Sequence, residues 1–393
     1  MSRNDIGLAV IGAGMAGRAH LAGYRNAPAV FDPPLPPVRL VAVSDLDEAL
    51  AADGARRYGY ERAESDWRRI VEADDIDVVS VVVANHLHRE MVEALLAAGK
   101  HVLCEKPLAP SVADAEAMVA AADAHPDLVA TTGFVYRRQP AIAAIRDRIG
   151  AELGDVVHFS GQYWCDYGVD ASGPMSWRYR GGPGSGALAD IGSHLTDTAE
   201  FLCGPIESVS GAVFSTSITE RFLPAGHVVG HGAAALSETA EPVENEDVAT
   251  FTARFASGAA ATLSVSRATF GHANQLKFQV SGTRGAASFD MERPGEFGYV
   301  DGSSPAGTGG YRQVIVGPHH PYVTRGMAMD FPSVNFGSND LFVFQARAML
   351  EQVAGLDTLP PVAPMRDGLR NLRILAAVTE SAAAGGAAIR IDD

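Results

Sequence analysis

At 393 residues the chain is longer than one compact core usually needs, so we expect two domains. Its composition, 47% hydrophobic and 20% charged, is typical of an ordinary globular protein. The net charge of −16 excludes an electrostatic attraction to nucleic acid or to anionic lipid, so neither is an expected partner.

The first segment has the pattern of a dinucleotide-binding turn. The sequence "IGLAVIGAGMAGRAHLAGYRNA" begins as an apolar strand and continues through a glycine turn into a helix. Gly12, Gly14 and Gly17 fit G-x-G-x-x-G. The first glycine permits the tight turn, the second lets the backbone approach a pyrophosphate, and the third lets helix and strand pack closely. The N–H groups at the helix start, at Met15 and Ala16, would face the phosphates.

An acidic residue at the end of the second predicted strand favours one cofactor. The strand "VRLVAVSD" ends in Asp45, whose carboxylate can accept both ribose hydroxyls of NAD and would repel the 2′-phosphate of NADP. We therefore predict NAD, with NADP less favoured. Asp45 follows the glycines at more than the usual spacing of about 20 residues. Because a helix interior does not tolerate proline, "NAPAVFDPPLPP" is predicted to be an inserted loop, and the role of residues 27–37 stays open.

Strands and helices alternate over the first third of the chain. Apolar strands are predicted at "DVVSVVVAN", "HVLCEKP" and "LVATTGF". Helices are predicted at "HREMVEALLAAG", closed by Gly99, and at "SVADAEAMVAAADA", capped by Ser111, while "RRYGYERAESDWRRIVEAD" is helical with an interruption. This alternation predicts an α/β fold, a Rossmann domain with a doubly wound parallel sheet over residues 1–135. Four polar residues follow these strands, where such sheets bind ligands: Asn85, His88, Glu105 and Lys106.

The stretch "GGPGSGALADIGSHLTD" is a glycine-rich loop followed by a predicted helix. On a helix, Asp190, His194 and Asp197 would share one face. A metal site, a solvated face and a proton-transfer site all fit this pattern. A zinc site needs a third protein ligand that the neighbouring sequence lacks, so no metal is predicted.

The cysteines and the apolar runs predict a location. Cys104, Cys165 and Cys203 are odd in number and far apart, which suits reduced thiols in a cytosol. No basic leader precedes the first strand, and no apolar run approaches the about 20 residues that span a bilayer. We therefore predict a cytoplasmic protein that makes no contact with a membrane.

Short motifs occur in order along nearly the whole chain. They are "GAGMAGRAH" at 12–20, "SD" at 44–45, "NHLH" at 85–88, "EKP" at 105–107, "GFVYRRQP" at 133–140, "SWR" at 176–178 and G-x-G-x-x-x-D-I-G-x-H-x-x-D from Gly184 to Asp197. Together they resemble the Gfo/Idh/MocA oxidoreductases, the family typified by glucose–fructose oxidoreductase and inositol 2-dehydrogenase. The proline-rich loop and "GPHHPY" are similar to the branch that contains levoglucosan dehydrogenase.

The resemblance implies a second α/β domain, residues 136–393, built on a large and mostly antiparallel sheet. Runs such as "GDVVHFSGQYWCD", "IESVSGAVFSTSIT", "DVATFTARFASGAAATLSVS" and "LKFQVSGTRGAASFD" are compatible with its strands. Two late helices are predicted, "SNDLFVFQARAMLEQVAG" and "MRDGLRNLRILAAVTESAAAGG", and the last is free to pack back on the first domain. In the family the open face of such a sheet often forms an oligomer, so a homodimer or homotetramer is implied.

The resemblance also implies catalytic roles in alcohol oxidation, which moves a hydride to nicotinamide and removes a hydroxyl proton. Lys106 would hydrogen-bond the reacting oxygen, and His194 would act as the acid/base. Asp190 would orient the substrate or favour the charged imidazole. Outside the family pattern, Lys106 fits an ion pair with Glu105 or a solvated lysine equally well, and His194 fits a helix histidine satisfied by its neighbours.

Further candidates surround these residues. Asn85 and His88 are expected to line the cofactor pocket, although Ala84 replaces the proline usual in the family, and Glu105 and Pro107 are expected to shape the Lys106 turn. Five residues could meet a polyhydroxylated ligand, or serve equally in packing or as surface charges: Arg137, Tyr163, Asp166, Trp177 and His320. Asp197 fits an active-site role and a helix-surface role equally.

These patterns predict an NAD-dependent enzyme that transfers a hydride between a secondary hydroxyl of a sugar, anhydrosugar or inositol and the nicotinamide. Two alternatives remain open: an NAD-recycling glycosidase on the same fold, and a non-catalytic nucleotide-sensing regulator. The sequence leaves undecided the substrate, the hydroxyl that reacts, the physiological direction and the oligomeric state.

Overall fold

A computed structural model of the chain describes residues 5–31, 34–182, 184–226, 235–305, 309–317, 319–320, 322, 329, 331 and 336–392. By its internal contacts the chain divides into two units. The first unit comprises Met1–Arg138 and Gly317–Leu369, and the second comprises Gln139–Val316 and Arg370–Asp393.

The first unit contains a six-stranded parallel sheet. Its strands are β1 (Ile6–Ile11), β2 (Val38–Ser44), β3 (Arg62–Glu64), β4 (Val78–Val81), β5 (His101–Cys104) and β6 (Ala130–Thr132). They are ordered β3-β2-β1-β4-β5-β6, and every neighbouring pair is parallel. The order of the strands reverses between β1 and β4, and sheets of this kind bind ligands beyond the carboxyl ends of the strands at that point.

Five helices connect the strands: α1 (Met15–Val30), α2 (Glu48–Tyr58), α3 (Arg68–Glu72), α4 (His88–Ala97) and α5 (Val112–Asp123). Local signals set their ends as the sequence predicts. The Ser111 hydroxyl accepts a hydrogen bond from the Asp114 N–H at the start of α5. Gly99 follows α4 with a φ of 74°, which favours glycine.

Two predictions in this unit are wrong. Helix α1 continues through Pro28 to Val30, so the first part of the expected loop is helical. Pro28 lies in the last turn, where its missing N–H removes a single bond, and the buried Tyr24 and Ala27 hold this turn in the core. The interrupted helix at 56–74 contains strand β3, because Gly59 ends α2 in a left-handed conformation and the chain then pairs with β2. Asp32 and Pro33 of the proline-rich segment lie outside the described residues.

A helix from late in the chain, α8 (Ser338–Val353), also belongs to the first unit. It packs along α1 so closely that a Cβ on Gly23 would lie 2.7 Å from the Phe342 carbonyl oxygen. The Phe31 and Phe344 rings lie 5.8 Å apart. These contacts place residues 317–369 with the first unit, whereas the sequence assigns them to a domain 136–393. The division into 1–135 and 136–393 stays a prediction.

The second unit contains a nine-stranded sheet and a separate two-stranded one. The strands are β7 (Val156–Trp164), β8 (Ile206–Ser215), β9 (Glu220–Pro224), β10 (Leu236–Pro242), β11 (Val248–Phe255), β12 (Ala260–Ser266), β13 (Gln275–Gly282), β14 (Gly285–Asp290), β15 (Glu296–Asp301), β16 (Arg312–Ile315) and β17 (Ile389–Arg390). The large sheet has the order β16-β15-β14-β13-β7-β12-β11-β8-β17, and only its β7–β12 pair is parallel. The predicted fold class, a Rossmann sheet plus a large and mostly antiparallel sheet, is confirmed.

The two faces of the large sheet differ. On the inner face the rings of Phe159 and Phe278 stack at 5.6 Å, and helix α7 (Ser193–Cys203) packs over β7. A Cβ on Gly161 would lie only 2.8 Å from the Leu195 Cδ1 of this helix. The outer face is exposed and polar, with residues such as Ser160 and Thr262.

The remaining helices are α6 (Pro140–Arg148) and α9 (Met365–Ala383), and α9 begins in the range of the first unit and ends in that of the second. Among the helices in the described part of the chain, none is both long and apolar enough to cross a membrane.

Candidate active site

In the glycine turn after β1, two of the three glycines are required by close backbone contacts, and the third leaves open space. Gly12 has a φ of 101°, and a Cβ on it would overlap the Val82 carbonyl oxygen. A Cβ on Gly17 would overlap the Gly12 carbonyl oxygen, so both glycines are required by the close contact of strand and helix. A Cβ on Gly14 would meet no atom within 4 Å. The turn therefore leaves open space at its middle glycine.

The predicted acidic residue lies beside this turn. Asp45 directly follows β2, and its Oδ2 accepts a hydrogen bond from the Ala13 N–H at 2.7 Å. Its Oδ1 accepts one from the Asp47 N–H at 3.0 Å. Met15 and Ala16 begin α1, and Met15 is exposed. The first N–H groups of a helix have no intrahelical partner, so the turn combines free donors with a neighbouring carboxylate.

The residues after β5 form a second polar turn in the same unit. The Glu105 Oε1 lies 2.9 Å from Nε2 of the buried His20, and the Glu105 Oε2 accepts a hydrogen bond from the Lys106 N–H at 3.1 Å. Burial by itself would raise the pKa of Glu105, but the hydrogen bond and charge of His20 and the charge of Lys106 outweigh burial and lower it. The peptide bond between Lys106 and Pro107 is cis. Glu105 thus binds the backbone that carries Lys106.

Asn85 and His88 lie after β4 and are both buried. Asn85 begins a short 3-10 helix, and His88 begins α4. The His88 ring nitrogens lie 3.0 Å from the Leu108 carbonyl oxygen and 3.1 Å from that of Val83. Burial lowers the pKa of this histidine. These contacts give His88 a structural role that joins two backbone segments, and its place in the cofactor pocket stays a prediction.

In the second unit the glycine-rich loop leads into a turn that is wider than predicted. Residues Leu188–Gly192 form a π-helical turn that contains Asp190, and α7 follows with His194. The predicted helix therefore contains a π turn, and the shared face of Asp190, His194 and Asp197 stays a prediction. The Glu246 carboxylate accepts a hydrogen bond from the Leu188 N–H at 2.8 Å, and a Cβ on Gly186 would overlap Glu246. This carboxylate supplies the acceptor at the start of the turn, and π turns are frequent at functional sites.

Three polar side chains lie on this turn and helix. Asp190 is partly buried, and its Oδ2 accepts a hydrogen bond from the Tyr167 hydroxyl at 2.7 Å. His194 is buried, with its ring centroid 6.2 Å from that of Tyr163. Asp197 is only 3% exposed, which contradicts the helix-surface alternative.

The residues proposed to meet a polyhydroxylated ligand divide between the units. In the first, the Arg137 guanidinium forms an ion pair with Asp367 at 2.6 Å, and the His320 ring lies 5.1 Å from that of Tyr322. The other three belong to the second unit: buried Tyr163, which donates to Asn274, partly buried Asp166 and exposed Trp177. Their contact with a ligand stays a prediction.

A buried polar cluster that the sequence analysis missed supports the second unit's candidate residues. The side chains of Arg267 and Asp247 are each 1% exposed and form an ion pair at 2.8 Å. Arg267 also donates to Asn245 Oδ1 at 2.7 Å and to the Arg178 carbonyl oxygen at 3.0 Å. The run "ENED" at 244–247 was the available signal, because acidic residues inside a strand-rich segment are rarely buried without a partner.

Tyr167 and His20 were also missed. His20 ends the motif "GAGMAGRAH", and Tyr167 follows the quoted strand "GDVVHFSGQYWCD", but both have partners far away in the sequence. Within the described residues, no group of three or more His, Cys, Asp or Glu side chains is arranged to hold a metal ion.

Comparison with known proteins identifies the family. Residues 6–133 match the oxidoreductase family with an NAD-binding Rossmann fold, and residues 142–288 match the Gfo/Idh/MocA C-terminal domain. The chain is 36% identical over 384 residues to a levoglucosan dehydrogenase of Pseudarthrobacter phenanthrenivorans, and the alignment covers 96% of each protein.

Solved structures agree over the whole length. A levoglucosan dehydrogenase in complex with NADH and L-sorbose is similar with a TM-score of 0.90 and 32% identity, covering 100% of both chains. One in complex with NADH and levoglucosan has a TM-score of 0.89 and 33% identity, covering 99% of this chain and 100% of the other. The chain therefore belongs to the Gfo/Idh/MocA family of oxidoreductases, and its first domain is an NAD-binding Rossmann domain.

Proposed function

We propose that this chain is an NAD-dependent dehydrogenase that oxidises a secondary hydroxyl of a sugar or anhydrosugar, with inositols as a further substrate class. The observation that carries the proposal is the 36% identity along 96% of both proteins to a levoglucosan dehydrogenase. Similar structures contain NADH together with levoglucosan or L-sorbose. Levoglucosan, an anhydrosugar, is therefore the first substrate to test.

The residues of the glycine turn fit the cofactor. The open space at Gly14 allows a pyrophosphate to approach the backbone, and the N–H groups at the start of α1 are donors for its oxygens. The Asp45 carboxylate would accept the ribose hydroxyls. NAD, when bound, takes up a hydride from the carbinol carbon. The proposed cofactor-binding residues are Gly12, Gly14, Met15, Ala16, Gly17, Asp45, Asn85, His88, Glu105 and Lys106.

Three side chains carry the proposed chemistry. Lys106 donates a hydrogen bond to the reacting oxygen and stabilises the negative charge that develops there. His194 takes up the hydroxyl proton, since imidazole gains and loses a proton near neutral pH. Asp190 accepts a hydrogen bond from the substrate or stabilises the imidazolium of His194. The Glu105 carboxylate accepts a hydrogen bond from the Lys106 N–H, and this bond fixes the backbone from which the lysine side chain extends.

The first experiment is an oxidation assay. The purified chain is incubated with NAD or NADP and with levoglucosan, common aldoses, L-sorbose and myo-inositol, and the absorbance of the reduced nicotinamide is followed. We expect turnover with at least one of these substrates, and with NAD in preference to NADP. Absence of turnover in both directions, with polyols and with the corresponding keto sugars, would contradict the proposed function.

Two variants test the catalytic residues. Lys106→Met and His194→Asn should each lower kcat by about 10²- to 10⁴-fold, the usual contribution of a positioned acid or base. His194→Asn should leave the Kd for NAD within a few-fold of its original value, whereas Lys106→Met, at a proposed cofactor-binding residue, should lower kcat by far more than it raises that Kd. His125→Asn, just after α5, is the matched control because the His125 Nδ1 lies 2.9 Å from the Ala121 carbonyl oxygen of that helix and His125 has no proposed role in the site. An unchanged kcat in either variant removes that residue from the mechanism.

The alternatives give different products. An NAD-recycling glycosidase would release free sugar from a glycoside with no net NADH. A non-catalytic regulator would bind NAD and sugar with no turnover at all. Measuring released sugar and NADH in the same reaction separates all three.

We keep two further proposals with this function: a cytoplasmic location, and assembly into a homodimer or homotetramer through the outer face of the large sheet. The three cysteines are buried and form no disulfide among the described residues, as expected for reduced thiols. The outer face carries polar side chains at alternate positions of its central strands: Ser160, Gln162, Thr250, Thr252, Thr262, Ser264, Lys277 and Gln279.

A further inference from the structure

Tyr167 donates a hydrogen bond to the proposed catalytic carboxylate. Its hydroxyl donates to the Asp190 Oδ2 at 2.7 Å, and the ring is partly buried. Burial raises the pKa of the Tyr167 phenol well above its ordinary value, and the neighbouring Asp190 charge acts in the same direction. The phenol therefore keeps its proton, and remains a hydrogen-bond donor, throughout the range in which an enzyme works.

The loop that carries Tyr167 is held on both sides by backbone contacts. The Cys165 N–H donates to the Ser266 carbonyl oxygen at 2.7 Å, and the Gly168 N–H donates to that of Arg267 at 2.7 Å. A Cβ on Gly168 would lie 2.6 Å from the Arg267 carbonyl oxygen, so only glycine allows this approach without movement. The buried Arg221 guanidinium donates to the Gly168 carbonyl oxygen at 2.8 Å. The backbone that carries the Tyr167 side chain is therefore held in place.

The turn that carries Asp190 is held by Glu246, which lies just before β11. The N–H groups of Ala187 and Leu188 donate to the carbonyl and the carboxylate of Glu246, at 3.1 and 2.8 Å. The next residue, Asp247, forms the buried ion pair with Arg267, and the Arg267 N–H donates to the Asp247 carbonyl oxygen at 2.9 Å. Both partners of the Tyr167–Asp190 hydrogen bond are therefore anchored to backbone at the start of β11 and the end of β12.

We propose that Tyr167 is a positioning residue for catalysis: its hydroxyl fixes Oδ2 of Asp190, and so holds the carboxylate in the orientation needed for its work on substrate and His194. This assignment deepens the proposed function and rests on it, because it takes Asp190 as a catalytic residue. The charged and titratable groups that act on the phenol are Asp190 from the π turn, Arg267 from the end of β12 and Cys165 from its own loop. Preorganised donors of this kind hold a catalytic group in its productive geometry before the substrate arrives.

The first test is Tyr167→Phe, which removes one oxygen atom and keeps the ring. With the best substrate from the oxidation assay, kcat/KM should fall about 10- to 100-fold, as expected for a lost hydrogen bond to a charged group. The acid limb of the kcat/KM pH profile should move to higher pH, because a carboxylate that loses a donor has a raised pKa. The Kd for NAD should not change.

Tyr24→Phe is the matched control. Tyr24 is fully buried, and its hydroxyl lies 2.9 Å from that of Ser80 in the first unit, so the variant also loses one internal hydrogen bond. It should lower the melting temperature slightly and leave kcat/KM and its pH profile unchanged. If Tyr167→Phe behaves like Tyr24→Phe while Asp190→Asn abolishes turnover, the positioning role is wrong and the proposed function stands.

A second measurement does not depend on turnover. The chain is labelled with ¹³C at the aspartate carboxyls, and the Asp190 resonance is assigned by its loss in Asp190→Asn. We expect this carboxyl to titrate at a higher pH in Tyr167→Phe than in the unmodified chain. An unchanged titration overturns the positioning role even if no sugar is ever oxidised, and a shifted titration with no oxidation of any substrate counts against the proposed function alone.

Discussion

Asp45 provides a carboxylate beside the glycine turn, and we expect the preference between NAD and NADP to depend on this one residue. Its two oxygens already accept the N–H groups of Ala13 and Asp47, so the side chain is held in place before any ligand arrives. Asp45→Ser should raise the Kd for NAD about 10- to 100-fold, because hydrogen bonds to a charged acceptor are lost. It should also improve the affinity for NADP relative to NAD, because the repulsion of the 2′-phosphate disappears. Calorimetric titration with both nucleotides measures the ratio.

Asp47→Ser gives the control for this substitution. Asp47 caps α2 by accepting the N–H groups of Ala49 and Leu50, and serine is also a good cap. The variant should leave the ratio of the two affinities unchanged. If Asp45→Ser shows that same ratio, cofactor selection does not depend on Asp45.

At the scale of one element, two glycines of the turn between β1 and α1 are expected to have different roles: Gly17 in folding and Gly14 in cofactor binding. Gly17→Ala should destabilise the chain by about 1–3 kcal/mol, because its Cβ would overlap the Gly12 carbonyl oxygen and the helix must shift. Gly14→Ala should change the stability of the ligand-free chain by less than about 0.5 kcal/mol, because its Cβ meets no atom within 4 Å. The same Cβ fills the space where a pyrophosphate would approach, so NAD binding should weaken at least about tenfold.

Thermal unfolding with and without NAD distinguishes these two effects. The unmodified chain should gain about 2.7 kcal/mol of stability at an NAD concentration of 100 times its Kd. Gly14→Ala should melt like the unmodified chain without NAD and gain much less stability with it. A full gain in Gly14→Ala would place the pyrophosphate away from this glycine.

The buried cluster of the second unit gives a prediction for pH. Burial would raise the pKa of Asp247, but hydrogen bonds from Arg267 and Ser217 outweigh it and lower the pKa. A carboxyl with a lowered folded pKa contributes stability above its unfolded pKa of about 3.9 and loses it as the pH falls through the folded value. Asp247→Asn should therefore lower the free energy of unfolding by about 3–5 kcal/mol near pH 7, because Arg267 is left as an uncompensated buried charge. The difference in the free energy of unfolding between Asp247→Asn and the unmodified chain should become smaller below about pH 4.

Urea unfolding at several pH values measures this difference. Glu207→Gln is the control, because Glu207 pairs at 2.8 Å with an exposed Arg390. Breaking an exposed pair should cost less than about 1 kcal/mol. Equal losses in both variants at pH 7 would mean that the buried pair does not hold the cluster together.

The same elements show what can be predicted from sequence. The glycine turn, the Ser111 cap and the Gly99 helix end depend on residues close together in the chain, and they were predicted, as was the parallel sheet; the order of its strands and the presence of β3 were not. The helical path through Pro28 was not, because burial of Tyr24 and Ala27 outweighs a local propensity. Tyr167 and Arg267 were missed for a different reason. Their partners Asp190 and Asp247 come from other strands and turns, and no periodic pattern encodes such pairs.

At the scale of the molecule, the division by internal contacts groups residues 317–369 with the first unit, while the predicted domain boundaries stay a prediction. Helix α8 was predicted as an element, but its packing on α1 depends on Gly23 and Phe342, more than half the chain apart. A buried Arg347–Glu351 ion pair at 2.6 Å strengthens this contact, and the Arg347 guanidinium also reaches the Phe31 carbonyl oxygen at 3.3 Å. Sequence order alone therefore assigns α8 to the second domain, while side-chain contacts assign it to the first unit.

The outer face of the large sheet gives a prediction for assembly, which follows from the proposed oligomer. Thr262 lies on β12, one of the central strands, and is exposed in the single chain. Thr262→Arg should change the free energy of unfolding of a single chain by less than about 0.5 kcal/mol, because surface substitutions have small effects. In an oligomer it would bury a charge without a partner, which costs several kcal/mol for each copy and should dissociate the assembly.

Light scattering after size-exclusion chromatography measures the mass directly. The unmodified chain should have the mass of two or four copies, and Thr262→Arg the mass of one. Ser257→Arg, in the exposed turn between β11 and β12, adds the same charge at the end of these strands and should keep the full mass. A single-chain mass for the unmodified protein would contradict the proposed oligomer. An unchanged mass in Thr262→Arg would mean that the chains associate through another surface, because an arginine at the centre of a close-packed contact cannot reach water.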